Sequence, residues 1–187
     1  EALHCLDIGA STGGFTDCML QKGAAHVYAV DVGHGQLAKR LSDDPRVTSM
    51  EGINFRTLRP EHFPRPFDFA AADVSFISLR LLFPVLTSLL SYEGKAVCLI
   101  KPQFEAGREA IGKGGIVKSS AVHEKVLQEI TGFAQLNGFS VSGLTFSPIC
   151  GGDGNIEYLL FLSFQAACIS KAEGISPSFF HSLVLQA

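Results

Sequence analysis

Five ionisable residues of this 187-residue chain stand where apolar segments begin or end, and their types are those that hold polar ligands and exchange protons. They are Asp7, Asp31, Asp73, Lys101 and Glu157. The first four come at or just after the end of an apolar run, whereas Glu157 lies at the start of the last run. In an open parallel sheet, the carboxyl ends of the strands share one rim, where ligands bind. If the last strand is antiparallel, Glu157 also reaches that rim, and the sequence predicts a single acid–base cluster.

The segment that follows the first apolar run, residues 7–15 (DIGASTGGF), has the small residues that close contact with a ligand requires. It matches neither the G-x-G-x-x-G pattern of dinucleotide sites nor the G-x-x-x-x-G-K-[ST] pattern of triphosphate sites. Asp31, at the end of the second run, is placed to accept hydrogen bonds from both hydroxyls of a ribose. For each feature a role without a ligand stays open. The glycines could instead allow tight packing of the helix against the strand, and Asp31 could be a solvated or helix-capping acid.

The elements that must position these residues alternate between strand and helix, which is typical of an open α/β sheet. Apolar runs predict strands at residues 3–8, 26–30, 46–50, 67–72, 95–100, 139–146 and 156–164. Helical spacing predicts helices at residues 12–22, 36–41, 78–90 and 121–137. A glycine-rich turn at residues 151–154 joins the last two strands, so we expect an antiparallel pair. Residues 101–118 are expected to form a mobile basic loop, and residues 165–187 a helix or tail.

The composition is that of one globular domain without a general attraction to anionic partners. With 47% apolar and 18% charged residues, the chain can build a core and is too weakly charged to be disordered. The formal charge of -3 means that any basic surface must be local. Five scattered cysteines without a C-x-x-C pair argue against a disulfide framework and a zinc site, so we expect no metal and a cytoplasmic location. No apolar stretch is long enough to span a membrane.

Four longer motifs resemble the TlyA (hemolysin A) family. They are residues 7–15, residues 72–79 (ADVSFISL), residues 100–108 (IKPQFEAGR) and residues 144–148 (LTFSP). Proteins of that family are S-adenosylmethionine-dependent ribose 2'-O-methyltransferases of ribosomal RNA, related to the FtsJ group. The resemblance implies an FtsJ-like methyltransferase domain over residues 1–164 with the Rossmann-like class I methyltransferase fold. That fold is α/β, with a mostly parallel seven-stranded sheet, a C-terminal antiparallel hairpin and helices on both faces.

The resemblance also implies a binding site for the cofactor S-adenosyl-L-methionine. The glycine-rich segment would lie against the cofactor, Asp31 would bind its ribose, and the segment after the third strand would flank its adenine. The implied contacts are Asp7, Gly9, Ala10, Ser11, Thr12, Gly13, Gly14, Phe15, Asp31, Glu51, Gly52, Ile53 and Asn54. Phe15, Phe76 and Phe104 lie beside the proposed cleft and could stack on adenine or on a flipped base, although core packing is the commoner role of phenylalanine.

FtsJ-like enzymes use a Lys-Asp-Lys-Glu set, of which Asp73, Lys101 and Glu157 match the last three members. The first lysine belongs before the opening strand and has no counterpart here, so it is expected upstream, together with a small RNA-binding domain. The resemblance assigns Lys101 to orienting the ribose hydroxyl, and to accepting its proton if positive neighbours and desolvation lower the lysine pKa. Asp73 and Glu157 would place the lysine, and which group takes the proton stays open.

Ribosomal RNA or ribosomal subunits are the implied partners. The basic residues Arg108, Lys113 and Lys118 suit phosphate contacts, or else belong to a solvated loop without a ligand. Amino-group methyltransferases of this fold carry Asp/Asn-Pro-Pro-aromatic where this chain has DVSF at residues 73–76. A catalytically idle RNA-binding module and a membrane-active haemolysin remain alternatives, although the sequence shows no amphipathic surface and no secretion signal for the second. The six histidines are expected at the surface or at helix starts.

Overall fold

The fold is given by a computed structural model, which describes residues 2–112, 114–152, 154–165 and 175–187. Seven strands lie in these residues. They are β1 (His4–Ile8), β2 (His26–Asp31), β3 (Val47–Glu51), β4 (Phe67–Ala72), β5 (Leu90–Ile100), β6 (Phe139–Phe146) and β7 (Tyr158–Phe164). They join in one sheet in the order β3-β2-β1-β4-β5-β7-β6.

The sheet is parallel from β3 to β5 and antiparallel at its other end. β1 pairs with β2 and β4, β2 with β3, and β4 with β5, all in parallel. β7 lies between β5 and β6 and runs antiparallel to both, with Tyr158 opposite Ile100 and Phe146. This confirms the predicted mostly parallel sheet with a C-terminal antiparallel hairpin. As a consequence, the ends of β2, β4 and β5 and the start of β7 lie on one rim.

Six α-helices lie in the described residues. They are α1 (Gly14–Gln21), α2 (Lys39–Ser42), α3 (Phe83–Leu89), α4 (Pro102–Glu105), α5 (Ser120–Leu136) and α6 (Pro177–Gln186). Both ends of α1, α2 and α5 lie within three residues of their predicted positions. α6 falls in the segment predicted as a helix or tail, whose residues 166–174 lie outside the described residues.

Helices pack on both faces of the sheet, as predicted, because successive residues of a buried strand point to opposite sides. In β4, Ala71 belongs to a cluster with Met19 and Leu20 of α1. Its neighbours Ala70 and Ala72 belong to a larger cluster that contains side chains of α3, α5 and α6. The apolar residues at the end of β4 are therefore covered from both sides of the sheet.

The prediction of one helix over residues 78–90 is wrong at both ends. Residues Leu79–Leu81 form a 3-10 turn, which Ser78 caps by accepting a hydrogen bond from the Arg80 amide at 3.2 Å. Leu90 already belongs to β5, where it pairs with Phe67 before a bulge in the ladder. Helical periodicity does not separate a short helix from an apolar strand that follows it directly.

The predicted loop at residues 101–118 is also wrong over its first residues, because α4 forms there. Pro102 suits a first helical position, where no N–H donor is needed. Glu105 of α4 accepts hydrogen bonds from the Ser78 hydroxyl at 2.6 Å and from the Leu79 amide at 2.8 Å. Burial raises the pKa of the Glu105 carboxyl. These contacts join segments that are distant in the sequence, so local pattern did not indicate them.

Candidate active site

Three of the predicted residues meet at the rim, with Lys101 in the middle. Lys101 follows β5, Asp73 follows β4 and Glu157 precedes β7. The Lys101 Nζ lies 2.6 Å from Asp73 Oδ1 and 4.0 Å from Glu157 Oε1. The same Nζ lies 3.4 Å from the Ser75 hydroxyl. An amine between two carboxylates can hold a hydroxyl group by hydrogen bonding and exchange protons with it.

Glu157 has a greater proton affinity than an exposed glutamate. Burial raises its pKa, the positive charge of Lys101 offsets part of the increase, and the negative charge of Asp73 adds to it. The carboxylate lies against Gly151, where a Cβ would stand 2.6 Å from Glu157 Oε1. A side chain at position 151 would therefore displace Glu157 from the rim.

Asp7 lies beneath the glycine-rich segment and does not line the cleft. Its side chain is completely buried, and its Oδ2 accepts hydrogen bonds from the Thr16 amide at 2.8 Å and the Thr16 hydroxyl at 2.6 Å. Since Thr16 is in the first turn of α1, Asp7 supplies the cap that Gly13 cannot. Its Oδ1 has no hydrogen-bond partner. Burial raises the pKa of Asp7 to about 6, and the nearby charges of Asp73 and Asp31 contribute to the increase.

Two glycines of the same segment have different reasons to lack a side chain. Gly9 has φ +79°, and a Cβ there would collide with the main-chain oxygen of Asp73, so the loops after β1 and β4 approach closely only because of this glycine. Gly13 faces Leu37 and Leu41, which a Cβ would strike. Gly13 therefore serves tight packing, which was the alternative role considered for these glycines, whereas Gly9 allows the two loops at the rim to approach each other.

A cleft of about 530 Å³ lies between the loops that follow β1, β2, β3 and β4, a volume within the usual range for a small-molecule site. Of the predicted cofactor contacts, those that line it are Gly9, Ser11, Asp31, Ile53 and Asn54. Those outside its lining are Asp7, Ala10, Thr12, Gly13, Gly14, Phe15, Glu51 and Gly52. Lining residues that sequence reasoning missed include Val30, Val32, Arg56, Val74, Ile77 and Leu82. The available signal was position, since Val30, Val32 and Val74 lie within two residues of a strand end.

Asp31 and Glu51, the last residues of β2 and β3, both accept hydrogen bonds from backbone amides but face different surroundings. Asp31 accepts hydrogen bonds from the amides of Ser11 at 2.8 Å and Gly33 at 2.7 Å, which orient its carboxylate at the cleft. Glu51 accepts from the amides of residues 35, 36 and 37 at 3.0, 2.7 and 3.1 Å. These bonds lower the pKa of Glu51 and direct it toward the loop after β2. Glu51 therefore shapes the wall of the cleft without lining it.

Two of the three phenylalanines named for the cleft lie at its mouth. Phe76 lines the cleft, is 90% exposed and has a left-handed backbone, with φ +64°. Its ring centroid lies 4.9 Å from that of Phe104. Phe15 instead packs against the smaller core cluster. An exposed aromatic ring on a strained backbone points to a function in ligand contact, because packing does not account for it.

The remaining predictions concern the basic residues and the histidines. Lys118 is exposed, Arg108 belongs to a 3-10 turn at Arg108–Ala110, and Lys113 lies outside the described residues. His123 lies in the first turn of α5, which agrees with the expected helix start, but it is 3% exposed and hydrogen-bonded on both ring nitrogens. The expectation of a surface or helix-start position is wrong for His4, which is buried in β1 and stacks on Phe67.

Neither metal clusters nor membrane-spanning helices occur in the part of the chain that the structure describes. No three His, Cys, Asp or Glu side chains there are grouped so as to hold a metal ion. No helix in those ranges combines the length and the apolar character that crossing a membrane requires.

Comparison with known proteins identifies relatives of both the sequence and the fold. The family model of the FtsJ-like methyltransferases matches residues 1–164. The chain is 44% identical over 172 residues to the 16S/23S rRNA (cytidine-2'-O)-methyltransferase TlyA of Mycobacterium tuberculosis, a match that covers 92% of this chain and 64% of that protein. The chain spans 56 to 65% of the length of the curated relatives that it matches.

Solved structures extend the comparison. A hemolysin-like protein of Streptococcus thermophilus is 52% identical, with a TM-score of 0.92 over all of this chain and 66% of that one. An S-adenosylmethionine-dependent methyltransferase of Mesorhizobium loti is 18% identical, with a TM-score of 0.60 over 87% of this chain and 91% of the other. The second similarity concerns the fold alone, and it confirms the predicted class I methyltransferase architecture.

Proposed function

Because the chain belongs to the FtsJ-like methyltransferase family, we propose that it transfers a methyl group from S-adenosyl-L-methionine to a ribose 2'-hydroxyl of ribosomal RNA. The observation that carries this proposal is the position of Lys101, whose Nζ lies between Asp73 and Glu157 at the rim of the cleft. A relative with 44% identity bears the name of a cytidine 2'-O-methyltransferase of 16S and 23S rRNA. A cytoplasmic location accords with ribosomal RNA as substrate.

The residues of the cleft fit S-adenosyl-L-methionine. Asp31 presents an oriented carboxylate to ribose hydroxyls, and Ile53 and Val32 offer apolar surface to an adenine ring. Gly9 leaves the approach open where a Cβ would collide with Asp73. The cofactor carries positive charge on its sulfonium and ammonium groups, and the negative charges of Asp31 and Asp73 stand around this cleft.

When bound, the cofactor supplies an electrophilic methyl group. The residues of the chain orient the 2'-hydroxyl that attacks this methyl group and accept its proton. Lys101 donates a hydrogen bond that orients the 2'-hydroxyl, because Asp73 and Glu157 fix its ammonium group. As the hydroxyl oxygen attacks, its proton passes to the Lys101–Asp73–Glu157 group. Glu157 suits this role better than an exposed carboxylate, since burial raises its pKa.

Substrate binding uses groups on both sides of this centre. Phe76 and Phe104 offer aromatic faces on which a base can stack. Arg108, Lys113 and Lys118 are assigned to phosphate contacts that position the RNA without reading its sequence. We also propose that an RNA-binding domain and the first lysine of the Lys-Asp-Lys-Glu set belong to a part of the protein upstream of residues 1–164.

The test separates cofactor binding from catalysis. Calorimetry with S-adenosylhomocysteine should show binding, and transfer of labelled methyl to ribosomal subunits should place the label on a ribose. Lys101→Ala should abolish transfer and leave S-adenosylhomocysteine affinity unchanged, whereas Asp31→Ala should weaken that affinity. An absence of cofactor binding would refute the enzyme and favour an idle RNA-binding module. A methyl group on a base would refute the ribose assignment, and identical behaviour of the two variants would refute the division of roles.

A further inference from the structure

Val117 is held by two buried polar side chains that come from different elements. The Asn155 side-chain oxygen accepts a hydrogen bond from the Val117 amide at 3.1 Å. On the other side, His123 Nε2 lies 2.9 Å from the Val117 main-chain oxygen. Val117 is itself buried, although its neighbours in the sequence are partly or fully exposed. We call Val117, Asn155, His123 and Tyr158 the Val117 clamp.

Asn155 joins two segments of the chain through its side chain and its main-chain carbonyl group. Besides its bond to Val117, its side-chain amide donates to the Gly115 oxygen at 3.1 Å. Its main-chain oxygen accepts a hydrogen bond from the Gly151 amide at 2.9 Å. The residue is only 1% exposed, so its own side-chain amide is shielded from water and depends on these partners. Asn155 therefore fixes residues 115–117 and the turn before β7 relative to each other.

His123 and Tyr158 continue the clamp into the sheet. The Val117 oxygen can only accept, so His123 Nε2 carries the proton, and Nδ1 accepts a hydrogen bond from the Tyr158 hydroxyl at 2.9 Å. Burial raises the pKa of Tyr158 to about 12, which keeps the hydroxyl protonated as a donor. Within the sheet, Tyr158 lies opposite Ile100, the residue before Lys101.

The clamp thus ends at the proposed catalytic residues. Tyr158 directly follows Glu157, and the Gly151 that Asn155 holds is the residue against which the Glu157 carboxylate lies. At its other end, Val117 directly precedes Lys118, which is assigned to RNA phosphates. The clamp therefore connects the segment that carries Lys118 with Gly151 and Tyr158, the two residues that adjoin Glu157.

We propose that the Val117 clamp positions residues of the methyltransferase: it holds Glu157 and the segment that carries Lys118 at fixed positions relative to each other. This inference rests on the proposed function. Apolar side chains could fill the same space without the cost of burying three polar side chains, so packing alone does not explain the network. Fully satisfied buried polar networks favour one arrangement of the segments that they join.

The experiment compares Asn155→Leu with Thr131→Val. Leucine keeps the branched shape of asparagine and loses both side-chain bonds of the clamp. Thr131 is the matched control, because its buried hydroxyl bonds only to main-chain oxygens within α5. The measurements are melting temperature, S-adenosylhomocysteine affinity, hydrogen exchange of the Val117 amide, and kcat and KM for ribosomal RNA. The full protein, with any upstream part, is used throughout.

We expect Asn155→Leu to increase exchange at Val117, to raise KM for RNA and to lower kcat by about 10- to 100-fold, as small displacements of reacting groups do. S-adenosylhomocysteine affinity should not change, and Thr131→Val should lose stability without these effects. Unchanged kcat and KM in Asn155→Leu, or equal kinetic losses in both variants, would overturn the proposal.

Two further variants keep the proposal testable if Asn155→Leu does not fold. Tyr158→Phe removes one hydroxyl, and it should lower kcat while the protein remains folded. His123→Gln retains an amide donor for the Val117 oxygen, so it should restore activity that His123→Phe loses. If wild-type protein binds no cofactor and transfers no methyl, the proposed function fails, whereas the exchange of the Val117 amide still reports on the clamp.

Discussion

The buried carboxylate of Asp7 allows a quantitative test of the electrostatics beneath the cleft. One of its oxygens receives two hydrogen bonds from Thr16, and the other has no partner. Burial raises its pKa from 3.8 to about 6. The substitution Asp7→Asn removes the ionisation and leaves an amide oxygen that can accept the same two bonds.

The magnitude follows from the difference between the two pKa values. At about 1.4 kcal/mol for each pH unit between 3.8 and about 6, ionisation of Asp7 costs the folded state about 3 kcal/mol. Between these pH values the folded protein holds the Asp7 proton and the unfolded chain has released it. The contribution of Asp7 to the free energy of unfolding therefore falls as pH rises through this interval, and the whole cost is present at pH 7.

Urea unfolding of wild type and Asp7→Asn, at several pH values on both sides of this interval, measures the effect. The free energy of unfolding of the variant, relative to wild type, should increase by about 3 kcal/mol from the acid to the neutral end. Taking the difference between the two proteins removes the contributions of other titrating groups. A difference that is constant with pH, or that changes in the opposite direction, would refute the reasoning. Since the carboxylate adds negative charge near the cleft, the variant should also bind S-adenosyl-L-methionine more weakly.

Two further predictions concern Gly9 and His4. Gly9→Ala and Gly23→Ala both place alanine at a positive φ, which costs about 1 to 3 kcal/mol of stability. Only Gly9→Ala also collides with the Asp73 oxygen, which should cost a further ~1 to 3 kcal/mol and abolish cofactor binding. Equal losses of stability in denaturant unfolding, or of cofactor affinity in calorimetry, would contradict this prediction. Burial lowers the pKa of His4 below 6.5, so as pH falls the unfolded chain binds a proton at this residue before the folded protein does. Wild type should therefore lose stability as pH falls below 6.5, and His4→Phe should remove this loss. Parallel pH–stability curves for the two proteins would show this to be wrong.

The strand positions and the rim were accessible to sequence reasoning because both depend on short-range pattern and on a general rule. Runs of apolar residues identified the strands, and parallel pairing places their carboxyl ends together. Asp73 and Lys101 each follow such a run, so their meeting at 2.6 Å follows from pattern and rule together. Glu157 lies at the same rim because β7, which it precedes, runs antiparallel to β5.

Other features were inaccessible because they depend on contacts between distant segments. α4 forms where a loop was expected, since Glu105 is bound by Ser78 and Leu79. His123 is buried because Val117 and Tyr158 supply partners for both of its ring nitrogens. A histidine near a helix start has the same local pattern whether or not such partners exist.

The sequence by itself determined the alternation of strands and helices, and hence which acids and bases gather at one rim, because apolar periodicity and strand direction are properties of short segments. Only the tertiary structure decided which polar atoms are buried and which partners they have. Asp7 became a cap beneath the loop, Asp31 remained at the cleft, and Asn155 became part of a clamp. The physical reason is that desolvation and hydrogen bonding depend on the neighbours that folding brings together, and these change the charge and position of a side chain without changing its type.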